Sequence, residues 1–249
     1  MSRAATLLFA ILAYAIFFAT FLYLIVFVGD LSFASRTVDL GPQAPVAQAV
    51  VIDVALIALF GLQHSLMARQ GFKRWWTTIV PPPAERSVFV LAASIALMIL
   101  FLWWRPIPAL VWSVNPIPHP VINQLIWAAF WIGWVTVLLS TFLINHFELF
   151  GLQQAWLNMR GRQAAPPKFR KPLFYKWVRH PLYLGFFLAF WATPEMTAGH
   201  LLLAVGVSVY MLIAIRYEER DLVGLFGKDY EDYRTEVGML TPRFRRRRT

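Results

Sequence analysis

PLYLGFFLAFWATPEMTAGHLLLAVGVSVYMLIAI, residues 181–215, is the stretch on which the fold turns. One bilayer crossing takes about 20 apolar residues over about 30 Å of hydrocarbon, and this run is longer. Thr193-Pro194-Glu195 interrupts it softly. The stretch therefore predicts two short helical arms that enter the bilayer and return as a tight hairpin. Upstream lie four more apolar blocks, Ala5–Val28, Pro45–Leu66, Val88–Trp104 and Val121–Ile144. The expected fold is all-α: a polytopic membrane protein with five or six transmembrane helical arms, the last two forming the hairpin. Residues 1–249 read as one integral-membrane domain, with 216–249 as a cytoplasmic C-terminal segment.

Composition supports this reading. Hydrophobic residues make up 59% of the 249 and charged residues 14%, against about 25% charged in a soluble domain. Met1-Ser2-Arg3 runs into the first block with no small-residue cleavage site, which predicts a retained first helix. The absence of cysteine excludes disulfides, thiolate catalysis and cysteine-ligated metal. The net charge of +10 sits in connections between apolar blocks, so it points to lipid head groups and topology, not to nucleic acid. The terminal RFRRRRT reads as a contact with anionic lipid. No feature asks for an obligate protein partner.

The charge distribution gives a direction. Arg69, Lys73, Arg74 and Arg86 follow block two, seven basic residues occupy 145–179, and the tail is basic, while the connections after blocks one and three are poor in Lys and Arg. The positive-inside rule then puts the N-terminus, 67–87, 145–180 and the tail in the cytoplasm. That assignment requires residues 181–215 to cross twice or to re-enter.

Ionisable residues inside apolar blocks need a reason. Asp53 is either a buried proton acceptor and orienter or a structural inter-helix pair. The helix directions bring His64, His146 and His180 to the cytoplasmic side. Histidine suits acid–base work near neutrality, though three separate interfacial histidines would look the same. Asn145 and Glu148 flank His146 and could orient it. Without HExxH spacing no metal is expected.

Two constellations flank the hairpin. Arg179-His180-Pro181-Leu182-Tyr183-Leu184-Gly185 places Arg and His before a helix that Pro181 opens. Free N–H groups there favour an anion such as a carboxylate, and Gly185 permits close approach of a helix or ligand. The second runs from Arg216-Tyr217-Glu218-Glu219-Arg220 to Tyr230 and Tyr233. It reads either as a charged helix exit or, with the hairpin folded back, as the other wall of the same site.

The pairing of RHPLYLG with RYEERDLVGLFGKDYEDYR and TPR resembles the integral-membrane methyltransferases related to isoprenylcysteine carboxyl methyltransferase and the NnrU-like group. GLQHSLMARQGFKRWW, PPPAERS and RPIPALVW narrow the likeness to the methanethiol S-methyltransferase subgroup. The resemblance covers about residues 5–243. It implies a multi-pass protein of the bacterial inner membrane that binds S-adenosyl-L-methionine in a cytoplasm-facing pocket. Arg179, His180, Tyr183 and Gly185 would line the cofactor, with Arg216, Glu218 or Glu219, Tyr230 and Tyr233 closing or supporting it. The implied substrate is a small volatile thiol, methanethiol giving dimethyl sulfide, and hydrogen sulfide as a further acceptor. His64 and His146 are the candidate catalytic bases, with Asp53 or Glu148 as orienter. Another lipid-soluble acceptor and a non-enzymatic NnrU-like protein stand as alternatives.

Overall fold

A computed structural model describes residues 2–164 and 168–243. The basic terminal run RRRR lies outside the described residues. In chain order the elements are α1 (Arg3–Val28), α2 (Val46–Ala68), α3 (Gln70–Trp76), α4 (Pro82–Trp103), β1 (Leu110–Ser113), α5 (Pro120–Ile144), α6 (His146–Leu149), α7 (Leu152–Met159), a 3₁₀ turn at Leu173–Lys176, α8 (Pro181–Trp191), β2 (Glu195–Thr197), α9 (Ala198–Phe226) and α10 (Lys228–Glu236). Helices α1, α2, α4, α5 and α9 are each long and apolar enough to cross a bilayer. Their large apolar side chains remain exposed, among them Leu8, Leu62, Leu102, Ile132 and Val209. Only 17% of the apolar window of α2 is buried, so a lipid solvent accounts for this surface where water would not.

Two boundaries differ from the sequence reading, for physical reasons. Helix α4 starts at Pro82, inside the Pro-rich connection, because a proline at the first helical positions gives up only an N–H that the helix leaves unpaired. Helix α9 continues to Phe226, well past the last apolar residue. The charged run from Arg216 is therefore helix, and it projects roughly 15 Å beyond Arg216 at 1.5 Å per residue. Helix α8 has 11 residues, about 16 Å, half of a hydrocarbon core.

Small residues set the helix contacts. A close one lies between α5 and α8, where a Cβ at Gly133 would stand 2.7 Å from the Gly185 carbonyl oxygen and the Ala189 nitrogen. Backbones meet this closely in membranes where small residues face each other. Helices α2 and α9 mesh through Gly61 against Tyr210 and Gly206 against Ile57. Aromatics fill the centre: Phe27, Phe101, Trp104, Phe130, Trp134 and Phe190 belong to one buried cluster. At the end remote from Arg179, β1 and β2 form a two-stranded antiparallel sheet. There the Thr197 hydroxyl donates to Asp39 at 2.5 Å, tying the α1–α2 loop to the start of α9.

Candidate functional site

The site grows from the overhang of α9. Glu219 is buried there and receives Arg179 Nε at 2.8 Å and His180 Nε2 at 3.1 Å on one oxygen, and Arg234 Nε at 3.1 Å on the other. One carboxylate thus joins the approach to α8, α9 and α10. The backbone reinforces the clasp. Arg179 N–H donates to the Gly238 carbonyl at 2.9 Å and His180 N–H to the Met239 carbonyl at 3.1 Å. Arg179 Nη1 also donates to the carbonyls of Arg234 and Val237. Behind this, Tyr230 and Tyr233 are buried with Phe169, Leu222, Val223 and Phe226. The Tyr233 hydroxyl donates to the Tyr175 carbonyl at 2.5 Å. Burial pushes the Tyr233 phenol up to about 12, the Arg179 cation opposing and Glu219 adding to the rise, so it stays a neutral donor. Tyr230 is raised by burial and by the neighbouring carboxylates Glu219 and Glu218.

Beside the clasp the Tyr183 hydroxyl donates to Glu218 at 2.9 Å. No side chain caps the first turn of α8, so its leading N–H groups are available to an anion. Arg216 lies about one turn before Glu219 on the same face of α9. It is exposed and makes no ion pair with the described residues.

Several residues singled out from the sequence stand elsewhere. Gly185 does not line a ligand space: a Cβ there would meet the Gly133 carbonyl oxygen at 2.7 Å and Val137 at 2.9 Å. Its smallness serves the α5–α8 contact. Asp53 is fully buried (0% exposed) and accepts the backbone N–H of Arg105 at 2.9 Å. It sits near the opposite end of α2 from His64, roughly 16 Å along the axis, and cannot orient that ring. That bond ties α2 to the chain as it leaves α4, and Oδ2 has no partner among the described residues. Arg179 is already committed to Glu219 and two carbonyls, which leaves its guanidinium little to offer a ligand.

The two candidate bases differ sharply. His146 is 5% exposed. Its Nε2 pairs with the Tyr14 hydroxyl and its Nδ1 with the Thr141 hydroxyl, both at 2.8 Å. The ring stacks on Phe142 at 4.2 Å, and burial lowers its pKa. Glu148 hydrogen-bonds Asn145 instead of the ring. His64 lies between Phe60, Phe89 and Tyr210, and its buried Nδ1 has no partner among the described residues. Buried Gln63 Oε1 and Ser87 Oγ are also unpartnered among the described residues.

Sequence reasoning missed Arg234, Tyr210, Tyr14 and the Val237–Met239 carbonyls. Tyr210 and Tyr14 carried a signal, as hydroxyls within apolar blocks. Arg234 closes the quoted motif RYEERDLVGLFGKDYEDYR, while the carbonyls carried no signal, because only the return of the chain onto residue 179 gives them a role.

Comparison with known proteins finds close relatives along the whole chain. The methanethiol S-methyltransferase of Mycobacterium tuberculosis is 52% identical over 242 residues, covering 97% of this chain and 98% of the relative. Methanethiol S-methyltransferase 1 of Bradyrhizobium diazoefficiens is 50% identical over 235 residues, covering 94% and 81%. A more distant relative, Nurim of Danio rerio, is 30% identical over 183 residues, covering 71% and 66%. No protein-family model and no solved structure matches the chain.

Proposed function

The chain belongs to the methanethiol S-methyltransferase family, and from that membership we propose that it methylates methanethiol with S-adenosylmethionine, giving dimethyl sulfide. Near-complete, 52% identical alignment with a methanethiol S-methyltransferase carries the reading. The donor set at the clasp suits the methyl donor's amino-acid end. Arg216 and the uncapped first turn of α8 suit its carboxylate, and Glu218 suits its ammonium group. Tyr183 holds Glu218 in place, and the Arg179–Glu219–His180 clasp holds α10 and residues 237–239 against the site. Bound S-adenosylmethionine supplies a methyl group on a sulfonium and leaves as a neutral thioether.

His64 takes the thiol proton, because its Nδ1 is unpartnered while both ring nitrogens of His146 are engaged. The acceptor sulfur then forms the new C–S bond with its lone pair, and the proton passes to the cytoplasm. The aromatic surroundings of His64 exclude water and hold a small apolar acceptor in place. In this reading α8 and α9 form a hairpin that enters from the cytoplasm and returns, with residues 192–197 covering the depth that short α8 leaves. The basic connections face the cytoplasm by the positive-inside rule, and with them the donor site. The membrane supplies the volatile thiol and the cytoplasm the donor. Residues 216–243 form part of the donor site of a single membrane domain.

The test is incubation of protein in lipid nanodiscs with methyl-labelled S-adenosylmethionine and methanethiol. Labelled dimethyl sulfide is expected. Its absence from protein that still binds the donor would refute the reading.

A further inference from the structure

Arg86 has a role that the clasp does not explain. It lies on the second turn of α4, partly buried. Its guanidinium carbon stands 5.1 Å from the Phe89 ring centroid, and the His64 ring packs on that same Phe89 at 4.8 Å. One donor is committed: Nε bonds the Leu149 carbonyl at 2.8 Å. That bond holds because α4 and the start of α7 touch closely, a Cβ at Gly151 standing only 2.6 Å from Ser87 Oγ. No described carboxylate comes within ion-pair distance of the guanidinium. The titratable and charged groups around it are His64 from α2, Lys73 from α3, Glu85 from its own helix and Glu148 from α6.

A guanidinium withdrawn from water without a carboxylate is costly, and membrane proteins keep such groups where an anion binds. The neighbouring His64 Nδ1, buried and without a partner among the described residues, independently marks this place as incomplete without a ligand. On the reading that the protein methylates a small thiol, we infer that Arg86 binds the acceptor sulfur as its thiolate, next to His64. A thiol is mostly protonated at neutral pH, and an adjacent fixed cation favours the thiolate. Arg keeps its charge at every accessible pH and offers several N–H donors at once. The proton leaves sulfur for His64, and the negative charge stays on sulfur beside Arg86. The sulfur lone pair forms the bond to the methyl group as the methyl–sulfonium bond of the donor breaks and its electron pair returns to the donor sulfur, now a neutral thioether. The same arrangement selects acceptors that ionise within reach of neutrality. Thiols and hydrogen sulfide qualify, and alcohols of equal size do not.

The experiment measures dimethyl sulfide formation against pH in nanodiscs for wild type, Arg86→Gln and Arg86→Lys, with donor affinity measured separately by calorimetry. Arg86→Gln should leave donor affinity within about twofold and lower kcat/KM for methanethiol about 100-fold near neutrality, the scale of one charge-assisted hydrogen bond. The deficit should shrink as pH rises and free thiolate becomes abundant, and Arg86→Lys should recover part of the rate. A deficit independent of pH, or none, overturns the inference while an active wild type keeps the methyl-transfer reading. Wild type inert toward methanethiol overturns both. Should Arg86→Gln fail to fold, Glu148→Gln serves. It keeps the guanidinium and its Leu149 bond, removes a nearby negative charge, and should shift the wild-type profile to lower pH. An unmoved profile, or one moved upward, overturns the inference.

Discussion

Replacing Glu219 by Gln removes one negative charge from the point where the approach to α8, α9 and α10 meet. Three cationic or neutral donors lose a carboxylate at 2.8, 3.1 and 3.1 Å. The contacts are unequal. Arg234 is 45% exposed at its side chain, so its pair is worth about 0.2–1 kcal/mol. Arg179 is 9% exposed, and breaking a buried pair by removing one partner costs about 3–5 kcal/mol. Gln keeps an acceptor oxygen, and Arg179 keeps its two carbonyls, which places the loss at the lower end, about 3 kcal/mol. That is roughly two orders of magnitude in the docking equilibrium of residues 228–239. Hydrogen exchange in nanodiscs reads it directly. The N–H groups of Arg179 and His180, bonded to Gly238 and Met239, should exchange about 100-fold faster in Glu219→Gln, and donor affinity should fall at least about tenfold. Arg234→Gln should accelerate the same amides less than about fivefold. Unchanged exchange in Glu219→Gln, or equal effects from both variants, would refute the reasoning.

Other consequences follow from single contacts. Gly133→Ala drives a methyl group into the Gly185 and Ala189 backbone and should cost about 1–3 kcal/mol by overpacking, seen as a lower Tm. Gly224→Ala meets nothing within 4 Å and should be neutral or stabilising by up to about 1 kcal/mol. His64→Gln should reduce kcat at least about 100-fold, the usual scale of general-base loss, with donor affinity intact. His146→Gln should lower Tm more than kcat, since it removes two hydrogen bonds to hydroxyls, and a reversed order of the two histidines in a kcat comparison would refute the assignment. Burial raises Asp39 to about 6, with the Thr197 hydrogen bond opposing and Asp30 and Glu195 adding to the rise. A carboxyl raised on folding holds its proton better in the folded state, so its contribution is present at low pH and lost as pH climbs from about 4 through about 6. Asp39→Asn should therefore raise Tm near pH 7.5 and leave it unchanged near pH 4; a gain equal at both would count against it.

The long apolar helices were legible in the sequence because they depend on local composition. An apolar run long enough for the bilayer must be helical to satisfy its own backbone, and loop charge orients it. Tertiary packing decided what each polar side chain does. His64 and His146 look equivalent along the chain, yet Tyr14, from a block more than a hundred residues earlier, engages the His146 ring, while His64 Nδ1 has no partner among the described residues. Gly185 sits within a motif that resembles a ligand-binding signature, and only the approach of α5 shows that its missing side chain makes room for a helix. Asp53 and His64 share a helix, but the rise per residue keeps them apart. Arg86 reads as a topological charge until Phe89 and Leu149 place it beside His64. A side chain's role is set by neighbours that arrive from distant segments. Sequence determined which helices are apolar enough to cross a membrane, and tertiary packing decided which of their polar side chains stand side by side.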